Sequence, residues 1–278
     1  MKLYLVYQVE IPPEAKRILI SYYECKNMPL DQYIKNTPYK EKPDIFLDSG
    51  AFSAFTQKKH IGIIEYCNYI KKHKHLITTY ANLDVIGSAS LTYKNQKWME
   101  NQGLSPLPVF HVGDDWDYLE RYIDEYPYVA LGGMVPYSKV DAHPQSRAIL
   151  LSWLVQCFKR AKGKAVFHGF GCTIWRVMKE FPWYSVDSSA WSMGFRYGEM
   201  RIFDERQAKL FHITIGSKGC FTHAHVFRSL GFDPNDFFDR SRYDRKKMAR
   251  LVALSFLRAE AWVERLHGAI SIPERTAQ

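Results

Sequence analysis

The sequence predicts an α/β chain that closes as a single (β/α)8 barrel. Three observations carry this. Short runs of apolar, β-branched and aromatic residues recur, each ending in a turn that contains Gly or Asp. Segments with the period of amphipathic helices lie between them. Strands that alternate with helices pair in parallel, and 278 residues suit one eightfold barrel. An open doubly wound sheet is the alternative architecture, but no GxGxxG follows the first run.

Seven runs are read as strands: residues 3–8, 44–50, 76–87, 107–113, 128–134, 164–171 and 183–188. The eighth strand is expected within residues 199–215. Helices are expected at residues 61–72, 116–125, 146–162 and 173–180. Asp114 and Asp115 stand where the second of these needs an N-cap. Gly163 follows the third as a C-cap signal, and Pro182 closes the fourth. Residues 216–240 read as irregular and 243–268 as a long C-terminal helix. Without repeats or low-complexity stretches, residues 1–278 are taken as one domain.

Composition narrows the class. Hydrophobic residues make up 46% and charged residues 24%, as in globular proteins. A net charge of +9 draws polyanions or simply solvates the surface. Aromatic residues, at 15%, fill cores and also stack on bases. Five scattered cysteines argue against a disulfide framework and for reduced thiols. The first residues lack the long apolar stretch of a leader, and no run is long enough to span a membrane. A cytoplasmic location follows as an expectation, the host cytoplasm if the source is viral.

In barrels of this kind the reacting groups lie where strands end. Here those ends are dense in polar residues: Asp48 and Ser49, Asn82 and Asp84, His111, Gly132 and Gly133, His168 and Gly169, then Asp187 and Ser188. A strand-end Asp is often only a helix cap, and paired glycines often only a tight turn. Six such ends in one chain point to a binding mouth. Two carboxylates flanking one pocket, Asp48 and Asp187, suit glycosidic chemistry, in which one attacks the anomeric carbon and the other moves a proton. Acyl transfer and NTP hydrolysis find no motif. No metal is expected, Cys220, His223 and His225 being the weak candidates.

The motifs, in order from about residue 45 to 191, resemble those of the tRNA-guanine transglycosylase superfamily. Asp48-Ser-Gly-Ala-Phe-Ser53 is similar to the segment that carries the family's acid/base aspartate. Asp84 stands at the base-recognising aspartate, and His111-Val-Gly113 where a Gln-Gly touches the base. Leu131-Gly-Gly-Met134 matches a turn that offers backbone contacts, His168-Gly-Phe-Gly171 a following glycine-rich strand end, and Tyr184-Ser-Val-Asp187 the nucleophile. The chain departs from the tRNA-acting members in lacking a CxCxxC-plus-His zinc site, and His111 replaces the usual Gln. In these respects it is closer to the branch that inserts 7-deazaguanines into DNA, known from viral and bacterial modification systems.

The resemblance implies a (β/α)8 barrel that exchanges guanine for a preQ0-type base. It implies Asp187 as nucleophile, Asp48 as acid/base, and Asp84, His111, Gly132, Gly133, Met134, Ser49 and Gly169 around the base. The partners are DNA, or alternatively tRNA, and a free 7-deazaguanine, which is a co-substrate rather than a cofactor; no cofactor is expected. Asp187 should stay ionised, whereas Asp48 must gain and lose a proton, so burial should raise its pKa. Lys58, Lys59, Arg242, Arg245, Lys246 and Lys247 are the candidate phosphate contacts. Phe52, Tyr137 and Trp191 are candidates to line the base pocket or to sit in the core. The other readings are a hydrolase using the same aspartates with water, and a basic barrel that only binds nucleic acid.

Overall fold

The computed structural model of the chain describes residues 1–7, 11–35, 41–138, 144–172, 174–242 and 244–274. Eight strands form one parallel sheet: β1 (Lys2–Val6), β2 (Arg17–Ser21), β3 (Asp44–Asp48), β4 (Thr79–Tyr80), β5 (Val109–His111), β6 (Tyr128–Gly132), β7 (Val166–Gly169) and β8 (Ser185–Ser188). Their order is β4-β3-β2-β1-β8-β7-β6-β5. The two outer strands meet through a parallel bridge between Ala81 and Leu107. There Asn82 N donates to Leu107 O at 2.9 Å and Leu107 N to Tyr80 O at 2.8 Å. The sheet thus returns on itself as the (β/α)8 barrel that the alternation predicted.

The strand period of two sorts the side chains. Leu3, Leu5, Ile18, Ile20, Ile45, Leu47, Val129, Leu131 and Phe167 face outward, into the large core shared with the helices. Tyr4, Leu19, Phe46, Ala81, Leu107, Val109 and Ala130 fill the barrel interior. The same parity puts Asp48, His111, Gly132, His168 and Asp187 on the inner side.

The eighth strand departs from expectation. It is β2, which pairs in parallel with β1 on one side and β3 on the other. Its run is only RILIS, and the described residues before it, 11–16, form no helix, so the alternation that marked the other strands is missing. Residues 199–215 instead hold an antiparallel hairpin outside the barrel, β9 (Glu199–Asp204) with β10 (Lys209–Thr214). It packs on the C-terminal helix, where Phe203 N donates to Ser255 Oγ at 2.5 Å.

Helices occupy Ile63–His73, Trp116–Glu125, Pro144–Arg160, Trp175–Glu180 and Arg245–His267, near the expected bounds. Gln8, Thr173 and Tyr243, which end or begin expected elements, lie outside the described residues. A helix at Ala89–Asn101 was not expected, because two of its three buried residues, Thr92 and Gln96 beside Met99, are polar. Residues 216–240 are not simply irregular; they include short helices at Gly219–Thr222, Ala224–Ser229 and Asn235–Phe238. The long C-terminal helix starts at a true N-cap, Asp244, whose Oδ1 accepts from Lys246 N at 2.8 Å. Its Glu260 is buried and pairs with Arg17, tying the helix to the start of β2.

Candidate active site

Asp48 ends β3, and the next two residues explain its setting. Gly50 turns with φ +76°, and a side chain there would reach within 2.5 Å of Ser21 Oγ and Tyr23 Cβ, so the turn requires glycine. The turn aims Gly50 N at Asp48 Oδ2, 3.1 Å away. Ser49 is fully buried and donates to Asp84 Oδ1 at 2.9 Å. Lost hydration, then the charges of Asp84 and Asp187, push the Asp48 carboxyl up to about 8 against the pull of the Gly50 and Ser49 amides. Three carboxylates therefore share one field at the barrel mouth.

Asp84 has a second partner. His111 Nε2 lies 2.9 Å from its Oδ2. On the other side of the ring, Nδ1 is 3.6 Å from Asp114 Oδ2, which accepts instead from His111 N at 3.0 Å. Burial disfavours charge on His111, but the two carboxylates outweigh it and raise the imidazole to about 9. His111 is therefore an imidazolium at neutral pH. Asp115, not Asp114, caps the following helix, accepting from Asp117 N at 3.1 Å. Sequence spacing made the two equal; only the fold turns Asp114 back onto His111.

His111 also accounts for Gly132. A β-carbon on Gly132 would lie 2.7 Å from His111 Cδ2, so the imidazole lies directly against the glycine. Gly133 follows with φ +73° and is exposed at the strand end. Met134 is buried in the outer core, and Gly169 packs against the Trp183 ring, where a β-carbon would come within 2.9 Å. The side-chain positions of Met134 and Gly169 thus belong to packing between barrel and helices.

Asp187 sits inside β8, level with Tyr4 of β1, with its side chain 7% exposed. Gly171 N donates to its Oδ1 at 2.9 Å. His168 Nε2 is 3.3 Å from the same oxygen. Both contacts fall on Oδ1. Burial lowers the pKa of His168 against the pull of Asp187, so this imidazole is neutral. The sequence put His168 and Gly171 at a strand end but not against Asp187, because that contact depends on β7 lying beside β8.

Of the aromatic candidates, Trp191 is 1% exposed and donates through Nε1 to Val6 O at 3.0 Å, which makes it core. Tyr137 packs on the core, and Phe52 is 46% exposed. Asp84 also opens toward a largely apolar cavity of about 410 Å³ that includes Ala51, Phe55, Lys59, Leu83 and Ile86.

The late segment is not arranged as a metal set. Cys220 is buried with its thiol toward the Thr214 carbonyl at 4.0 Å. His225 Nε2 meets Asp204 Oδ2 at 3.0 Å, and His223 Nδ1 is 4.0 Å from the same atom. Among the described residues, no group of three or more His, Cys, Asp or Glu side chains is placed to hold a metal ion. The five cysteines are buried and unpaired. Among the described residues, no helix is long and apolar enough to cross a membrane.

The basic candidates divide. Lys58 and Lys59 are exposed just past the short helix Ala51–Thr56 that follows the β3 turn. Arg242 and Lys247 converge on Asp236, at 2.8 and 2.9 Å, which offsets part of their charge. Lys246 is exposed at the start of the C-terminal helix. Arg245 lines a cleft of about 460 Å³ together with Arg196, Arg240 and Tyr197. No carboxylate lines that cleft among the described residues, and Tyr197 is 77% exposed.

Neither the known protein families nor the curated proteins contain a match to this chain.

Proposed function

We propose that this chain is a base-exchange transglycosylase that replaces guanine in DNA with a 7-deazaguanine of the preQ0 type. One observation carries the reading: two aspartates of unequal environment share the mouth of a barrel. Asp48 is held protonated near neutral pH and is poised to release that proton at about 8. Asp187 has one oxygen engaged by Gly171 and His168, which leaves Oδ2 for attack. A nucleophile and a separate acid/base are what a double displacement at an anomeric carbon needs.

The steps follow from those roles. The target base leaves the stack and enters the mouth. Asp187 Oδ2 bonds to C1′, the glycosidic bond breaks, and Asp48 gives its proton to the departing guanine. The incoming 7-deazaguanine then gives its N9 proton to Asp48, N9 bonds to C1′, and the aspartyl ester breaks. Asp48 ends protonated, as it began. Asp84, braced by Ser49 and His111, faces the base edge. The carboxylate-free arginine cleft, with its exposed tyrosine, suits a phosphodiester backbone.

The test is mass spectrometry of nucleosides after incubation with guanine-containing duplex DNA and preQ0, with tRNA in a parallel arm. A 7-deazaguanine deoxynucleoside is expected. Insertion only into tRNA, free guanine without insertion, or no change in either polymer would each overturn the proposal.

A further inference from the structure

Behind Asp187 a line of polar side chains crosses the barrel interior, and the exchange chemistry above makes no use of most of it. Tyr128, at the start of β6, has its hydroxyl 2.6 Å from Ser185 Oγ. Ser185, at the start of β8, is 2.7 Å from His168 Nδ1. His168 on β7 places Nε2 3.3 Å from Asp187 Oδ1. Ser185 and His168 are fully buried. The imidazole is clamped by rings: Phe46 and Phe170 each lie 4.6 Å from it between centroids. Burial and an aromatic cage are a poor place for polar groups unless their protons are ordered.

The proton positions can be solved. His168 is neutral, so it carries one N–H. If that proton were on Nδ1, the Nε2 lone pair would face a carboxylate oxygen at 3.3 Å, a repulsive contact in a buried site. With the proton on Nε2, the carboxylate is its nearest acceptor, and Nδ1 accepts from the Ser185 hydroxyl. The Ser185 oxygen then accepts from the Tyr128 hydroxyl. Every donor points the same way, toward Asp187. His168 Nε2 makes no full hydrogen bond among the described residues, so its 3.3 Å approach to Asp187 Oδ1 is what offsets the cost of a buried donor.

We infer that Tyr128, Ser185 and His168 form a one-way hydrogen-bond chain that fixes the Nε2–H tautomer of His168, holds Asp187 Oδ1, and leaves Oδ2 as the attacking atom. His168 is a positioning residue, and Ser185 and Tyr128 set its tautomer. The catalytic consequence rests on the transglycosylase reading; the tautomer does not.

Two experiments separate these. Nitrogen-15 NMR of the full chain, labelled on histidine, reads the tautomer without any substrate. The expected spectrum has His168 protonated at Nε2 and bare at Nδ1 from pH 6 to pH 8. A proton on Nδ1, or a doubly protonated ring, would overturn the chain. Ser185→Ala and Tyr128→Phe each delete one oxygen, and both should shift the ring toward a mixture of tautomers; an unchanged signal in both contradicts the proposal. The second experiment is kinetic. His168→Met removes the donor and should lower kcat about tenfold with KM unchanged, the scale of one buried hydrogen bond. His168→Gln keeps an N–H donor and should retain most of that activity. Equal losses in the two variants would show that the side chain matters only as packing. If wild-type protein shows the Nε2–H tautomer but no base exchange, the function is wrong and the chain stands.

Discussion

The two halves of the mouth each pair an aspartate with a histidine, and the pairs behave oppositely. On the β4–β5 side, His111 lies between Asp84 and Asp114 and is raised to about 9. On the β7–β8 side, His168 meets a single carboxylate inside the aromatic interior and is lowered. Burial pulls both imidazoles toward neutrality; the count of carboxylates decides which one keeps its proton. The mouth therefore has one half whose histidine is charged, where Asp48 and Asp84 sit, and one half whose histidine is neutral, which holds Asp187. A proton-moving carboxyl belongs in the first, where burial and then the charge of Asp84 raise its pKa. A carboxylate that attacks through one chosen oxygen belongs in the second, where donors approach from one side.

The largest effect expected falls on the half that holds Asp187. Asp187→Ala should lower base exchange by about 10⁶-fold, to background, measured as 7-deazaguanine incorporated into DNA. Substantial turnover in that variant would dissolve the contrast between the halves.

Asp48→Asn should slow turnover by about 10²–10⁴-fold, the usual contribution of one acid/base group. Its stability effect has the opposite sign. The folded-state pKa of about 8 stands above the 3.8 of a solvated aspartate, so folding takes up a proton across that interval and stability falls as pH rises through it. The asparagine variant removes that penalty. Its melting temperature relative to wild type should climb between pH 4 and pH 8 and then level off. A constant offset across this range would mean that Asp48 is not desolvated.

Gly132→Ala forces a methyl group against His111 and should destabilise the fold by about 1–3 kcal/mol in chemical denaturation. An equally stable variant would mean that the imidazole does not rest there. His111→Gln should cost stability with its own pH signature. The raised pKa means that the histidine contributes fully below 6.5 and loses its contribution as pH passes through about 9. Melting curves should therefore separate most at pH 6 and converge by pH 10. The smallest effect is expected at the arginine cleft, where Arg196→Ala should reduce the salt slope of DNA binding by about 0.9. An unchanged slope would leave that cleft merely solvated.

Much of this frame was legible in the sequence, and the failures share a cause. Residues that announce themselves locally were readable: the Asp48-Ser-Gly turn, the strand ends at His111 and Asp187, the apolar face of the C-terminal helix. What escaped depended on neighbours remote in sequence. The β2 strand is five residues with no helix before it among the described residues, and its pairing with β1 and β3 defines it. The Ala89–Asn101 helix can bury Thr92 and Gln96 because backbone outside the helix meets both: Thr92 Oγ1 accepts from Val85 N at 2.9 Å, and Gln96 Nε2 donates to Pro106 O at 2.9 Å. Gly132 read as a backbone contact for the base, and that it makes room for His111 depends on β5 lying beside β6. His168 was visible as a strand-end histidine, but its place behind Asp187 depends on β7 lying beside β8.

The central claim is that Asp187 forms the covalent bond while Asp48 moves the proton. The direct measurement is to quench the wild-type protein during exchange on guanine-containing DNA, digest the trapped adduct, and locate the sugar by peptide mass mapping. The account predicts a deoxyribosyl ester on Asp187, lost in Asp187→Ala and still formed in Asp48→Asn. An adduct on Asp48, or one that persists when Asp187 is replaced, would contradict it.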